Sequence, residues 1–182
     1  AQTIVRNLKH EDHTFTEGIN YGDDPVGRAN SAYEARDYDL AVKLYLEINE
    51  PDCINAAADV LFYQGKYEES AKYKHESAKA GFEGSYGGLA KIYREGWGVE
   101  VDYKKSSSWT LKGAESGDIV CMSLAGTAYM KGIFGFEKDE EKARYWLGFA
   151  SCYGDEFSNI FLNELGYKVK CLDGGGIQLY KS

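Results

Sequence analysis

The chain has 182 residues with 21 basic and 29 acidic side chains, a net charge of −8, and is 43% hydrophobic. At about 150 residues per domain this is one domain, and 15 Tyr, 8 Phe and 3 Trp argue against disorder. No run approaches the ~18 apolar residues of a membrane-spanning helix, and a pI of about 5.0 argues against a general nucleic-acid binder.

Residues 1–24 are polar and lack helical periodicity, which predicts an irregular N-terminal arm. The arm carries His10-Glu11-Asp12-His13, the one cluster resembling metal ligands. It offers no further ligand nearby, so a solvated arm is the preferred reading over a metal site. Acidity is concentrated early: residues 1–60 hold 12 acidic and 5 basic side chains, and residues 61–182 hold 17 and 16. Two readings stand. The negative surface keeps the protein soluble, or it steers a basic partner towards Asp23, Asp24, Asp37 and Asp39.

Within residues 28–81, Asp37-Tyr38-Asp39-Leu40-Ala41-Val42 and Gly65-Lys66-Tyr67-Glu68-Glu69-Ser70-Ala71 each read as a tight turn followed by a helix. From residue 85 the pattern becomes a repeat. Leu89-Ala90, Tyr93 and Gly96 recur 36 residues later as Ala125-Gly126, Tyr129 and Gly132. Val99, Asp102, Lys105-Ser106, Trp109 and Gly117 recur 37 residues later as Phe136, Asp139, Lys142-Ala143, Trp146 and Gly154. Each unit predicts a helix, a glycine loop and a second helix. Ala90 and Gly126 let another helix approach, Gly96 and Gly132 suit the left-handed residue ending a helix, and Asp102 and Asp139 suit N-caps. Beyond the repeats, Glu156 to Leu165 predicts a final helix stopped by Gly166. Tyr167–Leu172 and Ile177–Tyr180 flank a glycine turn and predict two short strands, with a flexible tail as the other reading.

These residues resemble the Sel-one-like repeat family, a relative of the tetratricopeptide repeat. Residues 85–117 and 121–154 carry the likeness, while residues 28–81 look more like tetratricopeptide units. Departures are Ser106, Ala90 and Phe134-Gly135-Phe136, all matters of packing. The resemblance implies an all-α fold, an α-solenoid of four stacked antiparallel helix pairs over residues 25–166. The arm 1–24 precedes it and a hairpin or tail, 167–182, follows. It also implies that first helices line a binding groove. That places Gly84, Gly87, Lys91 and Arg94 in one unit, and Ser123, Thr127, Met130 and Lys131 in the next. Trp97, Phe134 and Phe136 fall in rim loops, where partner contact competes with packing between repeats.

Cys53, Cys121, Cys152 and Cys171 form no CxxC pair, so two disulfides, one or none are open. Cys121 starts a first helix and Cys152 ends a second. Antiparallel pairing makes those ends neighbours, so the alternatives are a Cys121–Cys152 disulfide and buried free thiols. The regular cysteine pairs of some exported family members are absent. No nucleophile motif appears, Gly174-Gly175-Gly176 does not open a helix, and Asp139-Glu140-Glu141 reads as a cap plus first turn. No cofactor or metal is expected.

The expectation is therefore a non-enzymatic protein–protein interaction module of bacterial origin. It would be an adaptor, or an immunity protein that neutralises a secreted toxin with a basic surface. The alternative, which the resemblance implies through its disulfide-rich relatives, is an exported enzyme or a module binding peptidoglycan fragments or β-lactams. A fragment of a longer scaffold is a third reading, against which the final helix argues. Ala1 follows no apolar leader, which leaves periplasm and cytoplasm both open.

Overall fold

A computed structural model describes residues 24–181, and among them six helices start at an aspartate whose carboxylate accepts a first-turn backbone N–H. The caps are Asp24, Asp37, Asp102, Asp118, Asp139 and Asp155, the expected pair Asp102 and Asp139 among them. Asp23 and the His10–His13 cluster lie outside the described residues.

The helices are α1 (Pro25–Glu34), α2 (Tyr38–Ile48), α3 (Pro51–Tyr63), α4 (Tyr67–Lys79), α5 (Tyr86–Glu95), α6 (Tyr103–Glu115), α7 (Ile119–Lys131), α8 (Glu140–Cys152) and α9 (Glu156–Glu164). A 3-10 turn covers Glu83–Ser85. The strands β1 (Tyr167–Cys171) and β2 (Ile177–Lys181) pair antiparallel, with Tyr167 opposite Lys181 and Cys171 opposite Ile177. The fold is the expected all-α array of antiparallel helix pairs, and its C-terminal segment forms the hairpin. The chain divides into two compact units. One runs to Ser85 and includes Trp97–Val99; the other comprises Tyr86–Gly96 and Glu100 onwards.

In the first unit, α1, α2 and α3 pack through small side chains: Ala29, Ala32, Ala41, Ala56 and Ala57 lie around Cys53, Tyr45 and Val60. Alanine lets helix axes approach closely, and the fully buried Tyr45 supplies bulk while its hydroxyl donates to Asn30 Oδ1 at 2.6 Å. Between α3 and α4 the packing is polar. The Lys74 ammonium lies 2.6 Å from Asp59 and 2.6 Å from Asn55 Oδ1, and Ser85 bonds both Asn55 and Ser77. A buried cation is tolerated because it is paired and hydrogen-bonded. The Trp97 ring closes this unit against Phe62 (centroids 4.6 Å) and Tyr67 (6.2 Å).

The second unit shows why the repeat needs its small residues. A Cβ on Gly126 would lie 2.6 Å from Leu147 Cγ, and Leu147 is fully buried, so glycine is what lets α7 and α8 meet. Gly132 ends α7 in the left-handed conformation at φ 66°, and its counterpart Gly96 has φ 75°. Phe136 is buried with Ala125 and Ala128, so the departure from the repeat pattern there is filled by a larger core side chain.

The hairpin docks on α8 and α9. Gly148 makes the space: a Cβ there would meet Ile177 Cδ1 at 2.6 Å, with Leu179 and Val169 next. Leu111 holds the corresponding place one repeat earlier and packs on the Ala125–Phe136 cluster. A disulfide joins Cys152, the last residue of α8, to Cys171 of β1, with Cα atoms 5.6 Å apart. Of the two alternatives left open for Cys121 and Cys152, their mutual disulfide is corrected, because Cys152 bonds Cys171 instead, and the buried free thiol holds for Cys121 alone. Cys121 turns the other way, towards α5 and α6: its sulfur would sit 2.5 Å from a Cβ on Gly113 and 3.3 Å from one on Gly87. Cys121 and Cys53 are buried free thiols.

Candidate partner-binding surface

Within the second unit the first helices of successive pairs, α5, α7 and α9, touch through one recurring set of positions. Gly87 on α5 faces the Asp118 carboxylate and the Cys121 sulfur at the start of α7. At the equivalent place Ser123 on α7 donates to the Asp155 carboxylate at 2.9 Å, and its hydroxyl oxygen lies 3.1 Å from that of Ser158. Ser158 is fully buried and also donates to Asp155. Burial pushes the Asp155 carboxyl up, but the Ser158 and Ser123 hydroxyls and the Ser158 N–H together hold it below the ordinary carboxylate value. An ionised aspartate therefore caps α9 and fastens it to α7.

Beside this seam stand exposed apolar side chains. Val120 on α7 is 76% exposed, its counterpart Phe157 on α9 is 57% exposed, and Ile160 is 51% exposed. Phe157 stacks on Phe161 at 5.9 Å. Glu156 and Glu164 stand one helical turn either side of Ile160, and α9 carries no basic residue. Exposed apolar side chains beside carboxylates suit a partner with an apolar face and basic surroundings.

The expected groove residues divide. Lys91 on α5 and Lys131 on α7 are exposed. The Thr127 hydroxyl donates to the Ser123 carbonyl, a bond internal to α7. Arg94 is held locally: its guanidinium pairs with Glu95 at 2.8 Å and lies over the Phe134 ring at 5.4 Å. The rim aromatics are inter-helix clasps. Phe134 lies 5.8 Å from Tyr103, at the positions that correspond by repeat to Trp97 and Tyr67. The neighbouring glycines explain the close fit, since a Cβ on Gly135 would collide with the Tyr103 carbonyl and one on Gly98 with the backbone at Tyr67. The acidic candidates have local duties too. Asp24 and Asp37 cap α1 and α2, and Asp39 accepts from Gln64 and Lys66, which lowers its carboxyl.

Met130 lines a cleft of about 470 Å³ together with Glu140, Arg144, Leu165, Tyr167 and Lys181. Arg144 lies over the Tyr167 ring at 4.8 Å and within 3.7 Å of Glu140. Sequence reasoning missed both this cleft and the anchors. Val120 and Phe157 hold equivalent places, two after the caps Asp118 and Asp155 and 37 residues apart, but that spacing does not say whether they are buried or exposed. Among the described residues there is no group of three or more His, Cys, Asp or Glu placed to hold a metal ion. No described helix is long and apolar enough to cross a membrane.

Helix pairs of near-constant length, joined by glycine loops and seated on one another through small residues, define a helical repeat protein. The Sel1 repeat family matches residues 27–47, 85–118 and 119–155, just over half of the chain, and the chain belongs to that family. Sel1 repeats generally mediate protein–protein interaction, and the fold is typically a non-enzymatic scaffold. Among solved structures, the chain is similar to a Sel1 repeat protein from Oxalobacter formigenes, at 25% identity and a TM-score of 0.66, over 79% of this chain and 64% of that one. It is also similar in fold to a protective antigen of uropathogenic Escherichia coli displaying an SLR fold, at 20% identity and a TM-score of 0.62, over 76% of this chain and 34% of that one. The chain thus spans about two thirds and one third of these two proteins. A comparison with curated proteins finds no match.

Proposed function

We propose that this protein is a binding module that holds a basic-surfaced protein on the first-helix face of its second unit, and that it acts as an inhibitor or adaptor. The observation that carries the reading is the exposure of Phe157 and Ile160 on α9 beside Glu156 and Glu164, with Val120 exposed at the equivalent place on α7. An immunity protein that neutralises a secreted bacterial toxin is the specific form we favour. The net charge of −8, concentrated in the first third, supports fast association with a cationic partner. The disulfide supports an oxidising compartment such as the periplasm.

The test is affinity capture from the native lysate without reductant, comparing wild type with the F157D/I160D double variant, both checked for unchanged helicity. The expected outcome is one stoichiometric basic protein, bound at least ~10-fold more weakly by the variant. If that protein is a hydrolase, its activity should fall on binding. Capture that ignores both substitutions would move the site elsewhere. Saturable binding of peptidoglycan fragments with no protein partner would instead favour the exported cell-wall module, a reading that the disulfide and the Arg144–Lys181 cleft also support.

A further inference from the structure

The hairpin is attached to the helices in an unusual way. None of the residues from Tyr167 to Lys181 is buried; each is half-buried or exposed. On α8 it sets Val169, Ile177 and Leu179 over Gly148, with Tyr167 beneath Arg144, and β1 also touches α9. A two-stranded hairpin is marginal in water, and this one contributes no residue to the buried core clusters. What ties β1 covalently to α8 is the Cys152–Cys171 bond, whose Cys171 end is exposed while Cys53 and Cys121 are buried.

We infer that the hairpin is a redox-released cap: a dithiol reductant opens Cys152–Cys171, and the hairpin then leaves α8 while the helix pairs stay folded. A thiolate of the reductant attacks the sulfur of Cys171, the exposed residue of the pair. The Cys171–Cys152 bond breaks, and Cys152 leaves as a thiolate that takes up a proton. The second thiol of the reductant then resolves the mixed disulfide, freeing Cys171 as a thiol and leaving the reductant oxidised. Two surfaces change on release. The Gly148 face of α8 is uncovered, and the cleft beside Met130 loses Tyr167 and Lys181 from its wall. The inference is independent of the partner proposed above, since it concerns only this chain's own cap.

The experiment is hydrogen exchange on the full chain with and without dithiothreitol, alongside the C152S/C171S double variant. Mass spectrometry follows the bond itself. Expected is reduction of that bond in the folded protein and a drop of at least ~10-fold in protection over residues 167–181, with α7 and α8 unchanged. The serine variant should show the same loss without reductant. Three results would each overturn the inference: a bond that resists the dithiol until the chain unfolds, hairpin protection that survives reduction, or helices that lose protection together with the hairpin.

Discussion

Cys53 and Cys121 look alike in sequence to the two cysteines that bond, yet their chemistry is different. Burial pushes both thiols up to about 12, and the nearby Asp52 and Asp118 carboxylates add to it. At pH 8 almost no thiolate is present at either site. A chromogenic aromatic disulfide should therefore titrate no thiol in the native protein and two after denaturation without reductant. Asp155 makes the pH argument. Its carboxyl is lowered in the folded state, so the stabilisation is present above the unfolded value of about 3.9 and is lost as pH falls through the folded one. Asp155→Asn keeps a competent cap but removes the charge. Its melting temperature should lie below wild type at pH 7, and the two should converge in strong acid, as read by thermal scans across pH.

At the scale of helices, the repeat's small residues set the spacing. Gly126→Ala places a methyl group 2.6 Å from Leu147 Cγ and 3.0 Å from the Leu147 backbone nitrogen, and backbone cannot swing aside. Overpacking of this kind costs about 1–3 kcal/mol, which outweighs the ~1 kcal/mol gained from alanine's better helix propensity at the upper end of that range. The expected result is a less stable protein by urea denaturation, opposite in sign to an exposed mid-helix Gly→Ala change. Much at this scale was legible in sequence. Asp102 and Asp139 announced helix starts, Gly96 and Gly132 announced helix ends, and Gly126 announced a close approach, because each acts on backbone within a few residues of itself. The anchors Val120 and Phe157 were not legible as exposed. Repeat patterns mark the positions that pack, and an apolar residue off the pattern gives no sign of which way it points.

For the molecule as a whole, charge is the property to test. Residues 1–60 hold 12 acidic and 5 basic side chains, but Asp24 and Asp37 cap helices and Asp39 pairs with Lys66. Charge reversal at those positions would mix steering with folding. Ionic strength separates them: with the captured partner in hand, raising salt from about 0.05 to about 0.5 M should slow association by roughly tenfold and leave dissociation nearly constant. An association rate indifferent to salt would remove the steering argument and leave the acidity as a solubility device.

By itself the sequence determined the repeat, the family and the helix ends marked by Gly96, Asp102, Gly132 and Asp139, since caps, glycine ends and a spacing of 36 to 37 residues are local or periodic signals. Tertiary structure alone decided three things: which cysteines bond, that Trp97 and Phe134 are clasps, and that Val120, Phe157 and Ile160 stand in solvent. The physical reason is direction. Cys121 and Cys152 belong to neighbouring helix ends, but one sulfur turns back towards Gly113 and the other forward to β1. Which side of a helix a side chain leaves from is fixed by everything packed around it, not by its distance along the chain.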